Sequence, residues 1–131
     1  MQNILLIEDN AADVRLFQEY LRDSSTVTYH VSNTDSLEKA RHLDQLFSPE
    51  VIVVDLSLPD SSGEETVALA TQYFENKPIV ILTGLDDLEL AKKSVKEGIQ
   101  DYLVKGEINQ ASLRRAIQYA IERHRSVQES E

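Results

Sequence analysis

The sequence predicts a doubly wound α/β domain: a five-stranded parallel sheet with helices on both faces. Three observations predict it. Asn3–Glu8, Glu50–Asp55 and Pro78–Thr83 are short Ile-, Val- and Leu-rich runs that do not alternate apolar with polar residues, the pattern of central strands covered on both sides. Segments with helical spacing separate them. The resulting order, strand then helix five times over, calls for parallel pairing through right-handed crossovers.

Each element has its own justification. Asn3–Glu8 is the first strand, and Val14, Phe17 and Leu21 form the apolar stripe of the helix that follows. Val27–Val31 is a weaker strand candidate for the sheet flank. Leu37, Ala40, Leu43 and Phe47 form the second helical stripe. After the strand Glu50–Asp55, Ser62-Gly63-Glu64-Glu65 is a capping-box pattern opening a helix from about Gly63 to Phe74, with Val67, Leu69 and Ala70 among its apolar residues. Pro78–Thr83 is the fourth strand. Asp86 or Asp87 can cap a helix through Glu97, which Gly98 would end. Asp101–Val104 is the second flanking strand, and Leu113, Ala116, Ile117, Ala120 and Ile121 are the last stripe. From Glu122 the stripe is lost, as in a frayed helix end or the stub of a connector. The expected division is a domain over 1–125 and a solvated tail over 126–131.

Composition narrows the function. With 131 residues, 41% apolar and 27% charged, one hydrophobic core is the default. No cysteine is present, which removes thiolate metal sites, cysteine nucleophiles and disulfides. The longest apolar runs, such as Val51–Val54, fall far short of the ~20 residues of a membrane span. The amino terminus has no basic segment or small-residue cleavage site of a signal peptide. A cytoplasmic location without membrane contact is expected. The net charge of −10 also argues against nucleic acid as a partner, since phosphates would be repelled. The charge is uneven: residues 1–85 carry a net −9, residues 86–131 only −1. A partner that needs lysine or arginine would be met by the last third.

In a parallel sheet all strands end at one edge, and ligands bind in the crevice outside those ends where strand order reverses. The residues expected there are Glu8 and Asp9, Asp55, Thr83 and Lys105. Each has an ordinary explanation, as a turn former, a helix cap or a solvated lysine. A strand-only account gives no reason for acid, acid, hydroxyl and amine to occupy successive strand ends. Two carboxylates ~5 Å apart repel by roughly 3 kcal/mol at an effective dielectric of 20, so three need cations or raised pKa values. Lys105 supplies one charge. A hard divalent ion would supply the rest, and Mg²⁺ favours one or two carboxylates with water and phosphate oxygens.

Here the sequence resembles the receiver domain of two-component response regulators, over roughly Asn3 to His124. The resemblance is carried by Glu8-Asp9 in ILLIEDN, Asp55 in VIVVDLSLPDSSG, Thr83 in PIVILTG and Lys105 in GIQDYLVKG. It implies a flavodoxin-like (βα)5 fold with strand order 2-1-3-4-5. It implies that Asp55 is the phosphoacceptor, attacking the phosphohistidine of a sensor histidine kinase or phosphotransfer protein. Asp9, Asp55 and the main-chain carbonyl of Ser57 would hold Mg²⁺, with Glu8 acting through bound water. Lys105 and Thr83 would contact phosphoryl oxygens, and Tyr102 would follow the threonine as a switch residue. The surface of the fourth helix, fifth strand and fifth helix, with Lys92, Lys93, Lys96, Arg114 and Arg115, would meet an unidentified downstream protein or a second copy. No activity is implied beyond the domain's own phosphorylation and slow dephosphorylation.

The chain departs from the family pattern in places. Gly106 stands where proline is common after the lysine, so a cis bond is not expected and the loop Lys105-Gly106-Glu107 should be looser. Glu8 replaces a common aspartate, and Ser57 is small. Other readings rank lower. A nucleotide- or flavin-binding module would need a glycine-rich phosphate loop, and neither usual form occurs. A hydrolase would need a substrate pocket besides Asp55. A receiver-like binding module that is never phosphorylated would not need the intact acid, threonine and lysine set. A receiver cut from a larger hybrid kinase or cyclase stays open, because the Ala116–Arg125 helix resembles those that continue into such modules. His30, His42 and His124 are scattered, and His124 is expected at the basic end of the last helix, where a cation complements the dipole.

Overall fold

Five strands form one parallel sheet: β1 (Gln2–Ile7), β2 (Tyr29–Thr34), β3 (Val51–Asp55), β4 (Ile79–Thr83) and β5 (Asp101–Val104). Their order is β2-β1-β3-β4-β5, as the resemblance implies. The computed structural model describes residues 1–22 and 27–130. Among the described residues five α-helices link or follow the strands: α1 (Ala11–Arg22), α2 (Leu37–Phe47), α3 (Glu64–Tyr73), α4 (Leu88–Lys96) and α5 (Gln110–Ser130).

The apolar runs are continuous in sequence because the sheet is covered twice. Successive side chains of a strand point to opposite faces. Leu5, Ile7, Ile52, Val54 and Ile81 therefore pack with Leu37, Ala40, Ala70 and Ala91 of α2, α3 and α4. Ile4, Leu6, Val51, Val53, Val80 and Leu82 pack instead with Phe17 and Leu21 of α1 and Leu113, Ile117, Ala120 and Ile121 of α5. Val51–Val54 are at most 1% exposed, so each side chain contributes roughly its full transfer free energy, ~1.5–3 kcal/mol.

Several local expectations are corrected. The second strand lies at Tyr29–Thr34, not Val27–Val31. Its polar residues belong to the sheet edge: the Asn33 amide donates to the carbonyls of Leu6, Glu8 and Thr34, and the Glu8 N–H donates to Thr34 O at 2.9 Å. Phe47 ends α2 half exposed, outside the stripe. Ser62 forms no capping box; it belongs to a two-residue antiparallel hairpin with Ser57–Leu58, and Gly63 is the N-cap at φ +57°, where a Cβ would be strained. Leu85–Asp87 form a 3-10 turn, and Asp87 precedes α4 without a side-chain capping bond. Gly98, at φ +124°, follows the Glu97 cap as expected. The helix bearing His124 runs on to Ser130, and the ring Nε2 lies 2.8 Å from Asn76 O rather than capping a terminus. Thus α5 crosses the expected boundary at 125 unbroken; Glu131 lies outside the described residues.

Candidate functional site

The strand order reverses between β1 and β3, and there the chain leaves its acids. Ile7 pairs with Val54, so Glu8 and Asp55 stand opposite one another one step further on. Ile7 and Val54 face α2 and α3, so by strand alternation the two acids turn to the α1 and α5 side. The turn after β1 leaves them free. Asn10 caps α1, accepting from Asp13 N at 3.0 Å through its side chain and from Val14 N at 3.0 Å through its carbonyl. Glu8 and Asp9 are not needed as caps.

One carboxylate oxygen each from Glu8, Asp9 and Asp55 lies within 4.8 Å of the others. Glu8 is 1% and Asp55 5% exposed, whereas Asp9 is open to solvent. Lys105 arrives from β5, two strands away. It follows Leu103 by two residues on the same face, and Leu103 pairs with Leu82, which pairs with Asp55. The lysine stem thus passes over the end of β4, and its Nζ lies 2.6 Å from Glu8 Oε1, 2.7 Å from Asp55 Oδ2 and 3.0 Å from Asp13 Oδ2.

The electrostatics answer the crowding in two ways. Burial, then a hydrogen bond to Asp55, push the Glu8 carboxyl up to about 7 against the opposing pull of Lys105. For Lys105, burial pulls downward, but bonds to Asp55, Glu8 and Asp13 outweigh it and raise its pKa above the usual lysine range. The ammonium is therefore charged at every working pH. Glu8 Oε1 is fully buried, and its one close polar neighbour among the contacts described is the Lys105 ammonium, with which it forms an ion pair. Three carboxylates gathered around a single ammonium, with an open side at Asp9, fit a hard cation with water in its shell.

The other predicted residues are placed as follows. Thr83 is fully buried at the end of β4, and its hydroxyl donates to Gly84 O at 2.8 Å rather than into the acid cluster. Ser57 is exposed, and its N–H donates to Asp55 Oδ1 at 3.1 Å. Tyr102 is half buried against the core on the α2–α4 side. Lys105–Glu107 form one turn of 3-10 helix that includes Gly106, and no peptide bond is cis among the described residues. The basic patch is divided: Lys92 pairs with Glu89, Lys93 leans to Glu64 at 3.9 Å, and the Arg114 guanidinium is partly buried with Nε and Nη2 unpartnered.

Asp13 is the residue that sequence reasoning missed. An acid in a first helical turn is an ordinary response to the helix dipole, so it carried no distinguishing signal. Glu8, Asp13 and Lys105 border a crevice of only about 30 Å³ against Phe17 and Leu82, while a much larger groove of about 500 Å³ lies between α3 and α4.

The comparisons with known proteins agree with the geometry. Residues 4–118 match the family described as response regulator receiver domain. The cell cycle transcriptional regulator CtrA of Caulobacter vibrioides is 30% identical over 102 residues, covering 78% of this chain and 43% of that protein. The cell cycle response regulator CtrA of Brucella ovis is 32% identical over the same shares. The chain spans less than half the length of these relatives. Among solved structures, a response regulator receiver domain protein from Clostridium thermocellum superposes with a TM-score of 0.81 at 25% identity, covering 97% of this chain and 99% of that one. An adenylate cyclase from Rhodopirellula baltica gives 0.81 at 26% identity, covering 98% and 93%. No helix among the described residues is long and apolar enough to cross a membrane. With the fold, the sheet-edge acids and these matches in agreement, the chain belongs to the receiver domain family of two-component response regulators.

Proposed function

We propose that this domain is a phosphorylation-dependent signalling switch in which Asp55 accepts a phosphoryl group from a phosphohistidine of a sensor histidine kinase or phosphotransfer protein. The observation that carries this reading is the ammonium of Lys105 held 2.7 Å from the Asp55 carboxylate beside Glu8 and Asp9. A carboxylate oxygen of Asp55 attacks phosphorus, the P–N bond breaks with its electron pair returning to the imidazole, and an acyl phosphate remains on Asp55. Such transfer is mostly positioning and charge neutralisation. Lys105 neutralises charge on the incoming group and holds the carboxylate in place. Asp9, Asp55 and the Ser57 carbonyl would hold Mg²⁺, with Glu8 acting through its water. When bound, the ion supplies the positive charge that one lysine cannot.

The new group brings ~−1.5 to −2 charges and strong acceptor oxygens next to Thr83. For the Thr83 hydroxyl to bond it, the bond to Gly84 O must break, which moves the loop before α4. Tyr102 on β5 lies along that path, and the α4-β5-α5 surface is the output face toward a downstream protein or a second copy. The domain acts on its own phosphorylation only. We place it in the cytoplasm, with residues 1–125 as the receiver and the solvated end of α5 as tail or connector. A receiver serving a larger protein is the second reading, favoured by the length of the relatives. Their name as transcriptional regulators concerns those proteins; for this acidic domain we propose no direct nucleic-acid contact.

Intact mass after incubation with Mg²⁺ and acetyl phosphate tests the reading. One added phosphoryl group is expected, lost in Asp55→Asn and under EDTA. An adduct that persists in Asp55→Asn, or no adduct from acetyl phosphate or any of a panel of kinases, would turn the reading toward an unphosphorylated binding module.

A further inference from the structure

Just after Asp55 the chain carries two buried hydroxyls that neither the metal ligands nor the phosphoryl contacts require. Thr66, in the first turn of α3, is 0% exposed, and Ser61 is 6% exposed. Buried hydroxyls destabilise a core unless they are bonded, and here the bonding has a direction. Thr66 Oγ1 donates to Leu56 O at 3.1 Å. A hydroxyl has one proton, so in the 2.8 Å contact between Ser61 Oγ and Thr66 Oγ1 the donor is Ser61. The order is Ser61 to Thr66 to the Leu56 carbonyl. The second lone pair of that carbonyl takes the Gly63 N–H at 3.0 Å.

The Leu56 carbonyl and the Ser57 N–H belong to one peptide unit, which is planar. Fixing one end fixes the other, and the other end donates to Asp55 Oδ1 at 3.1 Å. The remaining Asp55 oxygen, Oδ2, faces Lys105. We infer that Thr66 is a positioning residue for Asp55: its hydroxyl, oriented by Ser61, clamps the Leu56–Ser57 peptide so that the Ser57 N–H sets the plane of the acceptor carboxylate. The inference rests on the reading of Asp55 as the phosphoacceptor, and it adds a residue that touches neither phosphoryl group nor metal.

The test uses the full chain and the variants Thr66→Val, Thr66→Ser and Ser61→Ala, each checked for folding by thermal melting, with Thr66→Ala as the substitute should the valine variant not fold. The first readout, without Mg²⁺ or phosphodonor, is the Ser57 amide resonance. Thr66→Val should shift its proton upfield as the bond to Asp55 loosens, and Thr66→Ser should restore it. The second is the rate of phosphoryl uptake from acetyl phosphate at saturating Mg²⁺. Thr66→Val should slow it about tenfold, the equivalent of one net hydrogen bond, at every donor concentration, and Thr66→Ser should recover it. Ser61→Ala leaves the Thr66 bond in place and should cost less than about threefold, under half of that bond's free energy. A folded Thr66→Val with an unmoved Ser57 amide and wild-type uptake overturns the inference, as does a Thr66→Ser no better than the valine. Equal losses in Ser61→Ala and Thr66→Val overturn the proton order. If wild type itself takes up no phosphoryl group, the acceptor reading fails, and the Ser57 amide alone then decides whether Thr66 positions this carboxylate.

Discussion

The bodies of β1 and β3 and the residues that end them are buried alike but for opposite physical reasons. Val53 and Leu6 are at 0% exposure among aliphatic neighbours, whereas Asp55 and Glu8, two residues further along the chain, are at 5% and 1% among charges. In the strand bodies, burial is itself the stabilising term. At the edge it opposes stability and persists because Lys105 and a raised Glu8 pKa offset it. The fold supplies a rigid apolar frame, and the frame holds acids closer together than water would leave them.

The strongest way to sharpen that contrast is to damage the frame alone. Ile117 of α5 is fully buried against Val51, Val53 and Val80. Ile117→Ala is expected to lower the unfolding free energy by ~2–5 kcal/mol in urea melts, while the fraction that remains folded takes up phosphoryl at the wild-type rate. A proportionate fall in uptake per folded molecule would mean that frame and edge are not separable.

The next effect is smaller and has a pH signature. Glu8 is raised in the folded state to about 7 from an ordinary 4.5, so the folded protein binds this proton more tightly than the unfolded chain. The associated stability is fully present below pH 4.5 and is lost as pH rises through 7, amounting to at most ~3 kcal/mol without metal. Glu8→Gln should therefore match wild type at pH 4.5 and become the more stable of the two by pH 8. Mg²⁺ should narrow the pH 8 gap by stabilising wild type. Urea melts at the two pH values check this, and a pH-independent difference between the proteins would refute it.

How legible these regions were follows from the same contrast. β1, β3 and β4 were plain in the sequence because both faces are covered, so unbroken apolar runs had one interpretation. β2 was set two or three residues too early because its last residues, Ser32, Asn33 and Thr34, are polar members of an edge strand, where the Asn33 side chain bonds backbone rather than filling the core. The Ser62 capping box failed because a short hairpin claimed that serine first. Glu8, Asp9, Asp55, Thr83 and Lys105 could be named because each sits at a strand end, a place that topology brings together, whereas Ser57 and Tyr102 were named from the family resemblance. Asp13 and the Ser61–Thr66 pair were out of reach, since their roles depend on what a lysine from β5 and a carbonyl after β3 happen to face.

The weakest prediction tests whether every acid at the edge shares the burden equally. Asp13 contacts Lys105 at 3.0 Å as Asp55 and Glu8 do, but its side chain is 38% exposed against 7% and 0% for theirs. Solvent screens such a pair, and exposed ion pairs contribute ~0–1 kcal/mol. Asp13→Asn should consequently change stability by less than ~1 kcal/mol, with the difference shrinking further in high salt. Because Lys105 keeps two buried carboxylate partners, its position over Asp55 should hold, and phosphoryl uptake from acetyl phosphate should stay within a factor of about three, the kinetic equivalent of less than 1 kcal/mol. A salt-insensitive loss of several kcal/mol, or an uptake defect approaching that of Asp55→Asn, would show that the lysine is steered from α1 and that the frame's first helix takes a direct part in the chemistry.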